Sequence, residues 1–199
     1  MSPKSGLLLR LCIDSAGDTA LLVLGHSTEV LGFCEILPQH NADRIAPFLD
    51  GLQELLNAHQ RTIAELEAIS IVTEPGRFTG LRLGMAMAQG LVLNSAKPLL
   101  PIKREAAYAP LMRASQGLFL CESGKAQAFG GYWKDGVCAP LQLWPAQESP
   151  YPNILSLLDE TALREQYPIF QETTAIINYP TLTQRANALM LATQNPNNN

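Results

Sequence analysis

"VTEPGRFTGLRLGMAMAQGLVL" (residues 72–93) places glycine at positions 76, 80, 84 and 90, where an apolar strand gives way to a helix. Glycines at such a junction serve either a phosphate-binding loop or close packing, and spacing separates the two. A Walker A loop needs GxxxxGK[ST], and no lysine follows the glycines here. The dinucleotide fingerprint GxGxxG fails too, because Gly76, Gly80 and Gly84 are four apart. A helix N-terminus still presents backbone N–H groups that can hold an anion, so phosphate binding stays open on that ground alone. Pro75-Gly76 fits the two central positions of a type II turn, with glycine at positive φ.

On a helical wheel Gly80, Leu83, Gly84, Met87 and Leu91 share one side, with Ala88 at its edge. Leu81, Met85 and Val92 form a second apolar strip, and only Arg82 and Gln89 are clearly polar. A helix apolar most of the way round must be covered on more than one side. Either it is sandwiched between a sheet and the preceding helix, or its second strip docks another protein. The paired methionines favour an adaptable contact surface. Gly84 and Gly90 each cost the helix roughly 1 kcal/mol relative to alanine. Close backbone approach is the compensation, so the glycines read as packing devices.

Upstream, "LLLRLCI" (7–13), "TALLVLG" (19–25) and "EVLGFCEIL" (29–37) are short apolar runs separated by turn residues, the pattern of an antiparallel meander. "NADRIAPFLDGLQELLNAH" (41–59) repeats Ile45, Phe48, Leu49, Leu52, Leu55 and Leu56 at helical spacing, with Asn41 as a cap. Pro47 inside it implies a kink or a late start. "AISIVTE" (68–74) is a strand, 79–93 a helix, "PLLPI" (98–102) a strand and "KREAAYAPLMRA" (103–114) a helix. The order is β-β-β-α-β-α.

The second half echoes it. "GLFLCES" (117–123), "QAFGGYW" (127–133) and "VCAPLQLW" (137–144) are strand-like. A helix around 153–165, a strand "TTAII" (173–177) and a helix "TLTQRANALMLAT" (181–193) follow. The expected division is 1–103, a shortened 104–194, and a disordered tail at 195–199.

A chain of 199 residues suits one domain or two small ones, and 47% hydrophobic content can build a core. The net charge of −4, with scattered Lys and Arg, argues against a nucleic-acid binder acting alone. Cys12, Cys34, Cys121 and Cys138 form no CxxC pair and read as reduced thiols. "MSPKSGLLLRLCID" is no signal peptide, and no run reaches the ~20 apolar residues of a membrane span. The expectation is a soluble cytoplasmic protein.

"PGRFTGLRLGMAMAQGL" closely resembles the PGSFTG[LV]R segment of the TsaB (YeaZ) family. "LCIDSAGDTALLVL" is similar to that family's first hairpin, "LPQHNADRIAPFLDGLQELL" to its first helix, and "AELEAISIVTEPG" to the approach to the motif. The resemblance covers about residues 7–110. It implies an α/β actin-like ATPase (ASKHA) fold of two β-β-β-α-β-α halves, the second shortened here. Pro75, Gly76, Phe78, Thr79, Gly80 and Arg82 match the motif. Glu74 and Arg77 replace the family's usual glycine and serine, and Glu74 could pair with Arg77. "ESGKAQAF" (122–129) lacks the family's Asp-Ala-Arg.

The resemblance implies a non-catalytic partner of the TsaD enzyme, which with TsaE attaches a threonylcarbamoyl group to an adenosine beside the tRNA anticodon. Pairing would use the first two helices, with a homodimer when the chain is alone and tRNA engaged only indirectly. The expected contact residues are Phe48, Leu52, Leu55, Leu81, Met85, Gln89 and Val92. No cofactor is expected in the isolated chain, although ATP or ADP could sit at a heterodimer interface. The competing readings are a small actin-like ATPase or kinase binding Mg-ATP, and a diverged homologue that only self-pairs. In the ATPase reading, Asp14, Gly17 and Thr19 of "DSAGDT" are the candidate phosphate turn, against the simpler reading of an ordinary turn. His26, His40 and His59 lack the His-x-x-x-His spacing of TsaD's metal pair, so no metal is expected.

Overall fold

The computed structural model describes residues 8–37, 45–112, 114–124, 127–135, 137–144, 153–157, 176–178 and 180–194. The first three apolar runs form β1 (Leu9–Asp14), β2 (Ala20–His26) and β3 (Glu29–Ile36), paired antiparallel in sequence order. β1 and β2 are buried on both faces, as strands covered above and below are; one face of β1 is apolar and the other carries Arg10, Cys12 and Asp14.

α1 (Ala46–Ala58) carries Pro47 in its first turn, where the missing N–H has no intrahelical partner to lose. The proline therefore marks a late start and not a kink. Asn41, the expected cap, lies outside the described residues. β4 (Ala68–Glu74) joins β1 in parallel, α2 (Phe78–Val92) crosses back, and β5 (Leu99–Lys103) pairs parallel to β4. The sheet runs β3-β2-β1-β4-β5. α1 and α2 cover one face over a core that includes Leu11, Ile13, Leu22, Leu24, Ile69 and Ile71.

α3 (Arg104–Tyr108) is shorter than the expected 103–114 helix. A 3-10 turn at Ala109–Leu111 replaces its end, because Pro110 has no N–H to continue the ladder. β6 (Gln116–Gly124) and β7 (Gln127–Lys134) form a hairpin, and β8 (Val137–Cys138) and β9 (Gln142–Trp144) pair with β7. β10 (Asn153–Ser156) and β11 (Ile176–Asn178) add in parallel beyond β6, and α4 (Leu182–Ala192) closes the described chain.

The helix expected around 153–165 is corrected at its start: Asn153–Ser156 is a strand. "NILS" is too short for periodicity to tell a buried strand from a helix. Residues 158–175, and the tail 195–199, lie outside the described residues.

The two sheets repeat one plan. In each, a hairpin (β1–β2, β6–β7) has two parallel strands added on its first strand's free side (β4 and β5, β10 and β11). α4 packs on β2, β3 and α3, on the sheet face opposite α1 and α2. Leu21 and Val23 of the first sheet, Phe119 and Leu155 of the second, and Leu189 and Met190 of α4 share one core. Among the described residues no helix is long and apolar enough to cross a membrane.

Candidate functional site

The glycine stretch and the first hairpin turn are brought together. A Cβ at Gly76 would lie 2.5 Å from both the Ala16 Cβ and the Ala16 carbonyl oxygen. Gly80 faces the Ser15 carbonyl and Gly84 the Ser15 side chain, each too closely for a Cβ. The Arg77 N–H donates to the Ala16 carbonyl at 2.7 Å, and Arg77 Nη1 lies 2.6 Å from Asp18 Oδ1. The three glycines thus let the α2 N-terminus lie flush on the Ser15–Asp18 turn. Gly90 is different, with open space where a Cβ would be.

Two expectations are corrected here. Gly76 stays outside the left-handed region that the third residue of a type II turn needs, so no such turn forms. Arg77 pairs with Asp18 instead of Glu74, because the turn at 15–18 sits directly beneath it.

Under that turn lies a buried charged cluster. Asp14 Oδ2 accepts from the Tyr108 hydroxyl at 2.5 Å and from Arg185 Nη2 at 3.3 Å, and Arg104 Nε is 4.0 Å away. Asp14 Oδ1 accepts the Ala16 N–H at 3.0 Å. Burial alone would push the Asp14 carboxyl up. The two guanidiniums, with the bonds from Tyr108 and Ala16, outweigh it and hold the group below the usual carboxylate range. The Tyr108 hydroxyl is pushed well up, by burial first and by Asp14 second. The Arg185 guanidinium lies over the Tyr108 ring, 5.5 Å from its centroid.

This geometry decides what the candidate phosphate turn can do. Gly17 and Thr19 are part-exposed on the turn, but Asp14 is fully buried and engaged by protein donors. The space beside Ala16 is filled by Gly76. The carboxylate is not presented toward a magnesium ion, so these residues do not fit a magnesium–nucleotide site in this chain by itself.

Arg104, Tyr108 and Arg185 went unrecognised in the sequence. They stand 90 to 171 positions from Asp14, with no spacing to link them; the sole local signal was an aspartate ending an apolar strand. His26, at the end of β2, and His59, just past α1, are part-buried, and His40 lies outside the described residues. Among the described residues no three His, Cys, Asp or Glu side chains gather as metal ligands. Cys12 is fully buried and its thiol is pushed up to about 12, so it sits in the core as a protonated, inert group.

The expected contact residues divide. Phe48, Leu52 and Leu55 are 6%, 1% and 5% exposed and pack onto the sheet. They are core residues and not contact residues, because the one apolar stripe of α1 is needed to cover β2 and β3. Leu49 and Ile45 are instead the exposed apolar side chains at the start of α1. On α2, Gly84, Met87 and Ala88 face the core, Leu81, Met85 and Val92 are half-buried, and Gln89 is exposed. Phe78 and Leu93, at the two ends of the same helix, are each 71% exposed, and Arg82 lies over the Phe78 ring at 5.2 Å. Of the remaining motif residues, Thr79 and Arg82 are exposed beside them. The outer surface of α1 and α2 therefore combines apolar and polar groups with no covering element among the described residues.

Comparison with known proteins bears on this same region. A family model described as TsaD, tRNA N6-adenosine threonylcarbamoyltransferase, matches residues 35–131. The Escherichia coli tRNA threonylcarbamoyladenosine biosynthesis protein TsaB is 29% identical over 107 residues, covering 54% of this chain and 42% of that protein. The Haemophilus influenzae TsaB protein is 28% identical over 102 residues, covering 51% and 42%. The matched region thus spans less than half the length of these curated relatives. Among solved structures, YeaZ from Pseudomonas aeruginosa superposes with a TM-score of 0.69 at 18% identity, covering 94% of this chain and 91% of that one.

Proposed function

We propose that this chain, a protein of the TsaB (YeaZ) family with the actin-like ATPase (ASKHA) fold, is a non-catalytic subunit. It pairs with a TsaD-like enzyme and supports threonylcarbamoylation of the tRNA adenosine beside the anticodon. The observation that carries this reading is the outer surface of α1 and α2. Phe78, Leu93, Leu49 and Ile45 leave large apolar area in water on two helices whose opposite stripes are already spent on the sheet. That surface lies within residues 35–131, the stretch that matches the TsaD family model.

The turn chemistry supports the non-catalytic role. Asp14 is held by two arginines and a tyrosine, and Ala16 is covered by Gly76. Nucleotide would enter only at a joint interface with the enzyme, where the partner supplies the acidic and phosphate-binding groups. A net charge of −4 leaves tRNA contact to the partner. A TsaE-like ATPase is a further partner in this scheme, the free chain self-pairs through the same helices, and the cytoplasm is its compartment.

The test is co-purification with the TsaD homologue of the same organism. A stable complex at micromolar concentration is expected, lost in Phe78→Asp and Leu49→Asp variants that keep their fold. Two folded proteins that ignore each other at that concentration would refute the assignment.

A further inference from the structure

The last helix is linked to the docking surface through β1 and the first hairpin turn. α4 is tied to β1 near both of its ends. Arg185, in its first turn, donates to Asp14 at the end of β1. Thr193, just past its other end, accepts from Arg10 near the start of β1 at 2.7 Å through its hydroxyl and at 3.2 Å through its carbonyl. From Asp14 the contacts run on without a break. Asp14 Oδ1 holds the Ala16 N–H, the Ala16 carbonyl holds the Arg77 N–H, and Arg77 is the residue from which α2 starts. Phe78, the most exposed aromatic side chain of the proposed docking face, is next in sequence.

We propose that Asp14 and Arg185 are positioning residues for the docking face: α4 sets the pose of the α2 N-terminus through the Ser15–Asp18 turn. The meaning of this for partner binding rests on the function proposed above, whereas the geometry does not. Ser15 and Ala16 of the turn are buried, and Ala16 belongs to the core shared with α4. Gly76, Gly80 and Gly84 place bare backbone against it, so the turn and the α2 N-terminus meet backbone to backbone. The Arg77–Asp18 pair is part-exposed on both sides and contributes little to rigidity. What fixes Ala16 from below is the carboxylate of Asp14, and what orients that carboxylate is Tyr108 with the two arginines. A turn held this way follows its anchor, and α2 follows the turn.

Residue-resolved amide hydrogen exchange on the full chain tests the relay, with the Arg77 amide as reporter because its bond to Ala16 is the joint between turn and helix. Arg185→Met removes the guanidinium and keeps much of the apolar stem. Exchange at Arg77 should rise about tenfold, while Leu11 and Ile13 in β1 stay unchanged. Arg185→Lys should recover part of the protection. Tyr108→Phe, which removes one hydroxyl from Asp14 and keeps the ring, is the second variant and decides the matter if Arg185→Met does not fold. Unchanged exchange at Arg77, or a rise shared equally by β1, would overturn the proposal, since a purely stabilising cluster loosens both. Affinity for the TsaD homologue, measured on the same variants, should fall with the loss of protection. A wild-type chain that binds no such enzyme would refute the functional reading while leaving the exchange result to judge the relay.

Discussion

The backbone N–H of Arg77 donates to the carbonyl of Ala16 at 2.7 Å, joining the glycine stretch to the first hairpin turn. That single bond explains why three glycines stand four apart. Each presents backbone to the turn where any Cβ would collide: Gly76 with Ala16, Gly80 and Gly84 with Ser15.

The glycines therefore separate by substitution. Gly84→Ala forces a methyl into the Ser15 side chain and should destabilise the chain by about 1–3 kcal/mol. Gly80→Ala meets a backbone carbonyl, which cannot rotate away, and should cost at least as much. Gly90→Ala meets open space and should stabilise the free chain by up to roughly 1 kcal/mol through helix propensity. Urea unfolding of the three variants is the measurement. Equal effects at positions 84 and 90 would contradict the packing account.

The two apolar stripes of the first helices make a second separable pair. Leu52 is fully buried against the sheet, so Leu52→Ala should cost about 2–5 kcal/mol and lower the urea midpoint. Leu49 and Phe78 are exposed, so Leu49→Asp and Phe78→Asp should leave the unfolding midpoint nearly unchanged, within about 0.5 kcal/mol. Loss of stability in the aspartate variants would mean that these side chains pack within the monomer after all.

How much of this was legible beforehand depends on how local each signal was. The order β-β-β-α-β-α came from apolar runs and turn residues that act within a few positions, and β1 to β5 lie where those runs stand. The reading of Gly80 and Gly84 as packing devices also followed from local spacing; the same reading of Gly90 fails, because open space lies where its Cβ would be, and Gly76, read as a turn glycine, packs on Ala16. The division of α1 was not legible, because a helical wheel shows one apolar stripe without saying whether a sheet or a partner covers it. Phe48, Leu52 and Leu55 went to the sheet. The Asp14 cluster was invisible for a different reason. Its members meet only once α4 folds back across the first sheet, and no periodicity encodes that crossing.

Asp14 should shape the acid limb of the stability profile. Burial raises its pKa, but Arg104, Arg185 and the two hydrogen bonds outweigh that, so the folded value lies below the unfolded one. A depressed folded pKa contributes stability that is present above the unfolded carboxylate value of about 3.9 and is lost as pH falls through the folded value. Urea midpoints measured from pH 6 downward should therefore drop below about pH 4, and Asp14→Asn should flatten that drop while lowering stability at neutral pH. Glu105 has the opposite sign. Its carboxyl is raised, by burial first and by Glu74 after it, so Glu105→Gln should stabilise the chain near neutral pH. An acid limb identical in Asp14→Asn and the wild type would remove Asp14 from this role.

The last helix should prove indispensable to the first half. α4 covers the face of the first sheet that carries Leu21 and Val23, and it inserts Leu189 and Met190, both fully buried, into the shared core. Burying a side chain of this size contributes about 1.5–3 kcal/mol, and its removal also uncovers the sheet beneath. Against a total stability of about 5–15 kcal/mol, that loss leaves little margin for a chain cut before position 180. The cut also strips Arg185 from Asp14 and Thr193 from Arg10. A chain ending at residue 179, and a fragment of residues 1–103, should each fail to show a cooperative unfolding transition and should sediment as aggregate. A cooperative, monomeric 1–103 fragment would show that the first half holds together without the helix that returns to it.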